Sequence, residues 1–291
     1  MTIVVGFGPD VRTFSGVDFG AQLARSSGDE LVLCCVVHDA WASPAARDFG
    51  GVDDDWRNEL RASAVQTLEN AVERVGVDVR AETVIRTGRS VPQGLAAEGE
   101  ARDARMLVVG SSTDGVFGRI SFGSVSDRLV HSSRVPVGVA PRGYSEQRVP
   151  IGRLVVAVYP TRSDVALTVQ VTELAGWLSA PVQVVTFAPR DRTPLGQFAS
   201  RDVFDYWSEQ VRDAHAEIVR DLDAAGTPVE GSGIVEGSGW SDAIASFDWR
   251  PGDLLIVGSS EHGPVAQVFL GSTATRIIRY SPVPVVLLPR R

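Results

Sequence analysis

Lysine is missing from the chain: all 28 of its basic residues are arginines, set against 36 aspartates and glutamates. The absence excludes a phosphate loop that depends on lysine, a lysine Schiff base and every lysine acid-base mechanism. Cysteine is nearly missing too. Cys34 and Cys35 stand side by side in an apolar run, so they point to opposite faces of a strand and cannot readily pair. They read as small buried hydrophobes, and no disulfide framework exists. Four histidines, His38, His131, His215 and His262, are scattered without metal-ligand spacing. No apolar stretch approaches the ~18 residues of a membrane span, and no basic leader precedes the first apolar run at Ile3. The expectation is a cytoplasmic protein in a reducing compartment. A formal charge of −8 argues against nucleic acid or anionic membrane as partners.

What is present is ordinary for a folded chain, with 44% hydrophobic and 22% charged residues. A length of 291 residues suggests two compact units. An internal repeat supports the division. LVVGSS at 107–112 returns as LIVGSS at 255–260, an offset of 148 residues. The same offset pairs Gly123-Ser124 with Gly271-Ser272, Arg128 with Arg276, and VPVGVAPR at 135–142 with VPVVLLPR at 283–290. Nearer the start of each copy the offset becomes 151, where IVVGFGP from Ile3 meets LVVAVYP from Leu154. The predicted domains are 1–143 and 153–291, joined by a linker over 144–152 that holds glycine, proline and polar residues.

Each copy alternates strand and helix, which predicts an α/β fold with a doubly wound, five-stranded parallel sheet. In the first copy the strands are expected at 3–7, 31–37, 79–85, 106–109 and 135–140. Most are unbroken apolar runs, as strands covered on both faces must be. The third has mixed polarity and reads as a strand nearer an edge. The last strands of both copies, ending in Pro-Arg, also read as edges that invite pairing. Trp56, Leu60, Ala64, Leu68 and Val72 suggest one helical stripe, and Trp207, Val211 and Ile218 its counterpart. Asp53, Asp54 and Asp55 could hold a metal, but their place before a helix favours a role at its positive end.

Ligands of such sheets bind at the carboxyl ends of the strands, where the strand order reverses. The loop after the fourth strand is well placed. It runs from Gly110 to Ser124 and then opens a helix, whose free amides and dipole can hold an anion without lysine. Alternatively Gly110 merely ends a strand and Ser124 caps the helix with Asp127 as partner. The second copy keeps the same loop length, first glycine and closing Gly-Ser, which favours ancestral phosphate binding.

The spacing of Gly110, Gly123 and Ser124 after a parallel strand, repeated as Gly258, Gly271 and Ser272, resembles the universal stress protein family over nearly the whole chain. The resemblance implies an adenine nucleotide alpha-hydrolase-like fold, with the two copies paired as a pseudo-dimer about their last strands. It implies binding of an adenine nucleotide, ATP with or without magnesium, as a non-catalytic module of the stress response. By the resemblance, Gly110, Ser111, Thr113, Gly123, Ser124 and Val125 would meet the phosphates, and Gly8, Pro9, Val36 and Val37 the nucleoside. Arg119 lies on the same loop. The second set is Gly258, Ser259, Gly271, Ser272 and Thr273, with adenine near Phe187 and Ala188, while Gly88 and Gly237 would close the mouths.

The sequence departs from the family pattern in both copies. Thr113 and Glu261 replace the middle glycine of the motif, and Gly8 and Tyr159 replace an aspartate that follows the first strand. A Glu261 carboxylate about 5 Å from a phosphate charge costs about 3 kcal/mol at an effective dielectric near 20. If one copy binds nucleotide, the first is expected to. The alternative is a degenerate protein-interaction module that has lost nucleotide, with its protein partner unknown and homodimerisation open. The signatures of the related hydrolases, S-G-G-x-D-S or H-x-G-H, do not occur, so no enzyme is expected. Tyr159 could stack on a ring of a different ligand or fill an empty pocket.

Overall fold

The computed structural model describes residues 1–9, 11, 13–38, 52–112, 115–145, 148–159, 165–190, 201–258 and 271–289, with backbone alone at 38, 52–57, 165 and 201–202. The chain divides into two compact units, Met1–Arg148 and Val149–Arg291.

Unit 1 runs β1 Thr2–Phe7, α1 Ser15–Ser27, β2 Glu30–His38, α2 Val52–Val75, β3 Ala81–Gly88, α3 Val91–Ala101, β4 Ala104–Gly110, α4 Ser124–Ser132 and β5 Val137–Ala140. The strand order is β3-β2-β1-β4-β5 and every pairing within it is parallel. Ile3, Val4, Val5, Leu31, Leu33 and Val108 have no exposed surface, because helices cover both faces of the central strands. The order reverses between β1 and β4, so the loops that follow these strands diverge and leave a crevice at their carboxyl ends. β3 lies outermost on one side and alternates half-buried with exposed residues, as its mixed polarity predicts. It starts two residues later than expected and runs on to Gly88, paired there with His38. Cys34 and Cys35 are both buried, and neither is in a disulfide.

In α2 the buried stripe is Ala64, Leu68, Ala71 and Val75, whereas Val72 is 40% exposed. A strict four-residue spacing corresponds to about 400° of rotation per step and walks off the face; alternating four and three residues keeps to it. Asp53, Asp54 and Asp55 fall in the first turn of this helix, their side chains outside the described set. α3 is fastened to β3 by a buried carboxylate: Glu98 accepts from Arg86 Nε at 2.5 Å and from Arg102 Nε at 3.0 Å. Arg102 also forks onto Glu82.

The residues expected to form a linker are shared between the units. Tyr144 packs edge-on against Phe19 and donates from its hydroxyl to Gln22 Oε1 at 2.5 Å, so it belongs to unit 1. Ile151 is buried and Gly152 N donates to Gly252 O at 2.9 Å, inside unit 2.

Unit 2 repeats the pattern as β6 Arg153–Ala157, α5 Val165–Leu178, β7 Val182–Pro189, α6 Arg201–Ala224, β8 Val229–Gly237, α7 Trp240–Ala245, β9 Asp253–Gly258, α8 Ser272–Tyr280 and β10 Val285–Leu288. Its parallel order is β8-β7-β6-β9-β10. Val211 and Ile218 bury the sheet side of α6. Its own polar clamp sits at the amino ends of β6 and β9: Arg153 forks onto Asp253 at 2.9 and 2.6 Å.

Candidate functional site

In unit 1 the crevice is a cleft of about 940 Å³ at the carboxyl ends of β1 and β4. Gly8, Pro9, Val36, Val37, Gly110, Ser111, Gly123, Ser124 and Val125 all line it. The topology brings them together from four separate stretches of chain. Arg119 does not line the cleft; its backbone instead joins the loop to the end of β5, accepting from Arg142 N at 3.0 Å. Thr113 lies outside the described residues.

The wall nearest the nucleoside positions has an open polar edge. The β1–β2 ladder ends at the Phe7–Cys35 pair, while β2 continues against β3 to His38. The β1-facing edge of Val36 and Val37 therefore runs past the end of its neighbour, where backbone donors and acceptors can meet a ligand. The β1–α1 turn opposite is pinned from α2: Ser63 Oγ and Thr67 Oγ1 donate to Pro9 O at 3.0 and 2.8 Å.

The other end of the cleft is built by the loop after β4. Ser111 Oγ donates to Ser121 O at 3.0 Å and accepts from Ser121 N at 2.7 Å, and Ser112 N donates to Ser121 O at 2.8 Å. These bonds draw the two arms of the loop together beneath the opening of α4. Gly123 is the N-cap, in extended conformation at φ −87 and ψ 175. Its N–H is taken by Ser126 Oγ at 2.9 Å, and that hydroxyl donates back to Gly123 O at 3.2 Å. The alternative pairing of Ser124 with Asp127 is not the one observed; the reciprocal bonds join Gly123 and Ser126. Ser124 is the first helical residue, exposed, and the amides of the first turn have no helical acceptor. They provide positive potential to a cleft whose described lining includes no ionisable side chain.

Thr13, Ser63 and Val91 are among the lining residues that gave no sequence signal of a role. Another, Gly16, has a physical reason to be glycine. A Cβ there would lie 2.8 Å from Gly110 N and 3.0 Å from Val109 C, so the absent side chain lets the start of α1 abut the end of β4.

In unit 2, Gly258 ends β9, Gly271 is the N-cap of α8, and Ser272 and Thr273 begin that helix. Ser259, Glu261 and His262 lie outside the described residues. Tyr159 is 54% exposed after β6, and Gly88 and Gly237 end β3 and β8. His131 lies on the exposed side of α4, 3.7 Å from Asp127.

Two parallel α/β units in tandem, each with a Gly-Ser helix opening at the strand-order reversal, define a duplicated α/β protein of the ligand-cleft type. The chain belongs to the universal stress protein family, whose model matches residues 1–141 and again 150–289. It is therefore a tandem stress-response protein of that family. Universal stress protein Rv2319c of Mycobacterium tuberculosis (strain ATCC 25618 / H37Rv) is 34% identical over 295 residues, covering 99% of this chain and 100% of that protein. Universal stress protein Rv2624c of the same strain is 25% identical over 293 residues, covering 99% and 96%. Among solved structures, a universal stress protein from Archaeoglobus fulgidus DSM 4304 has a TM-score of 0.62 at 18% identity, covering 100% of this chain and 98% of that one. A putative universal stress protein from Pseudomonas aeruginosa UCBPP-PA14 has a TM-score of 0.57 at 16% identity, covering 99% and 92%. These two likenesses concern the fold. No described helix is long and apolar enough to cross a membrane.

Proposed function

We propose that unit 1 binds an adenine nucleotide, ATP with or without magnesium, and that the chain acts as a non-catalytic, nucleotide-responsive module of the cytoplasmic stress response. The observation that carries this reading is the cleft itself: an open strand edge at Val36–Val37 at one end and the amides opening α4 at the other. Its volume of about 940 Å³ lies in the range of small-molecule pockets. Phosphate oxygens would sit against Ser124 and Val125, with Gly123 giving the backbone its close approach. The described lining residues offer a bound phosphate no acid or base, which fits holding rather than hydrolysis.

Gly8, standing where the resemblance implies a carboxylate, favours a second reading: an interaction module of the same fold without nucleotide. Calorimetric titration with ATP and magnesium separates the two. The control is Gly123→Asp. Its Cβ would lie 3.4 Å from Ser112 Cβ, an ordinary contact, and aspartate is a good N-cap, so the variant should fold. Its carboxylate, about 5 Å from a phosphate charge, costs about 3 kcal/mol, more than a hundredfold in affinity. Heat from wild type that disappears in the variant supports nucleotide binding in unit 1; no heat from wild type leaves the interaction module.

A further inference from the structure

We infer that Arg142 is a positioning residue of the unit 1 cleft: it holds the loop after β4 in the shape that presents the first amides of α4 to a bound anion. The inference rests on nucleotide binding in unit 1 for its ligand, whereas the hold on the loop belongs to the unliganded chain. Arg142 closes the VPVGVAPR run that recurs at the repeat offset, where its counterpart is Arg290. The sheet gives this arginine no task, since β5 ends two residues earlier at Ala140.

The two arms of the loop are held by different parts of the fold. The inner arm is bound at the strand ends, by the Ser111–Ser121 clasp and by Ser111 N, which donates to Ala140 O at 2.9 Å. The outer arm, residues 115–119, lies along the strap that leaves β5. Arg142 alone makes three bonds to it: Gly118 N donates to Arg142 O at 2.8 Å, Arg142 N to Arg119 O at 3.0 Å, and Arg142 Nη1 to Gly115 O at 2.5 Å. Gly143 follows at φ +76, and a Cβ there would strike the Phe117 ring, so the loop tip rests on strap backbone. The strap is anchored in its turn by Tyr144 on Phe19 and Gln22 of α1.

The grip reaches the helix opening through a short chain of contacts. Gly115 presses on Ser121 so closely that a Cβ on it would lie 2.6 Å from Ser121 Cβ, and Ser121 stands two residues before the N-cap Gly123. Val116 and Phe117 at the tip are 72% and 74% exposed, so polar bonds rather than apolar burial fix the tip. Backbone bonds at 142 survive any substitution; the guanidinium bond does not, and charge-assisted bonds of this kind are the stronger ones. A ligand that needs the closed loop loses affinity in proportion to the fraction of chains in which the loop has opened.

The test has two arms. In the unliganded full chain, hydrogen exchange at the Gly118 and Ser121 amides should be faster by about threefold or more in Arg142→Ala, with β1 and β2 amides unchanged. Arg142→Lys, which can still donate one bond to Gly115 O, should restore most of the protection. In calorimetric titration, ATP with magnesium should bind Arg142→Ala about three- to tenfold more weakly and Arg142→Lys nearly as wild type. Adenosine, which lacks phosphate, should bind all three alike, whereas a residue that merely supported the fold would weaken both ligands together. Unchanged loop exchange in Arg142→Ala, unchanged ATP affinity, or equal losses for ATP and adenosine overturns the inference. A wild-type chain that binds neither ligand overturns the nucleotide reading instead, and loop exchange then decides by itself whether Arg142 holds the loop.

Discussion

At the scale of single residues, the unit 1 cleft depends on what is left out. Gly16 leaves no room for a methyl group against the backbone of Val109 and Gly110, so Gly16→Ala must push α1 away from β4. Overpacking of this kind costs about 1–3 kcal/mol, and because both contact partners are backbone, little of it can be relieved by a side chain turning aside. Urea unfolding of the variant should show that loss, and ATP titration a weaker cleft; unchanged stability would mean that the helix slides at no cost. Little of this was legible in the sequence. Gly110, Gly123 and Gly271 announced themselves by recurring at the repeat offset, but the demand on Gly16 comes from a helix and a strand far apart in the chain. Ser126 was passed over as the capping partner for a related reason. Ser124 and Asp127 match a familiar local spacing, and only the observed N-cap at Gly123 moves the reciprocal bond one residue along. Val91 carried no local signal at all, since its importance lies in which helix start faces the cleft.

At the scale of elements, the strands were the easiest to foresee because double-sided burial writes itself as an apolar run; β1 and β2 kept their expected limits within a residue or so. β3 was less legible, being half wet, and its end is fixed by pairing with His38 rather than by its own composition. The helices show another limit. α2 was expected at a four-residue spacing that no helix of 3.6 residues per turn can keep on one face, so Val72 was assigned to the core wrongly. α6 adds a buried polar group to its sheet-facing side. His215 is 2% exposed, and its Nε2 lies 2.9 Å from Thr186 Oγ1. That hydroxyl spends its one hydrogen on Val158 O at 2.9 Å, so the imidazole donates from Nε2. Burial pushes its pKa below the ordinary value of 6.5. A folded pKa below the unfolded one means that the unfolded chain takes up the proton first. Stability from this group is complete above about pH 6.5 and declines as the pH falls through that value, by at most about 1.4 kcal/mol per pH unit. Hydrogen exchange at the β7 amides, which reports on unit 2, should therefore accelerate between pH 7.5 and 5.5, after correction for intrinsic exchange, more in wild type than in His215→Gln; parallel profiles would contradict the assignment.

For the molecule as a whole, duplication has produced two rims from one plan, and their differences fall at corresponding positions. Unit 1 has Gly8, Val91 and Arg119 where unit 2 has Tyr159, Trp240 and Gln267. Gly8 and Val91 line the unit 1 cleft, whereas unit 2 carries aromatic residues at both corresponding positions, so the two units should not respond alike to one nucleotide. A nucleotide held in unit 1 should therefore protect only part of the chain. A ligand that binds only the folded state at a hundred times its Kd stabilises it by about 2.7 kcal/mol, which slows local opening around the occupied cleft by about a hundredfold. ATP with magnesium should slow hydrogen exchange around Val36–Val37 and the first turn of α4, leaving 238–243 and the start of α8 unchanged. Protection by ATP confined to unit 2 would reverse the assignment of the phosphate site, because the carboxylate of Glu261 would then have to be neutralised by something unit 1 does not need.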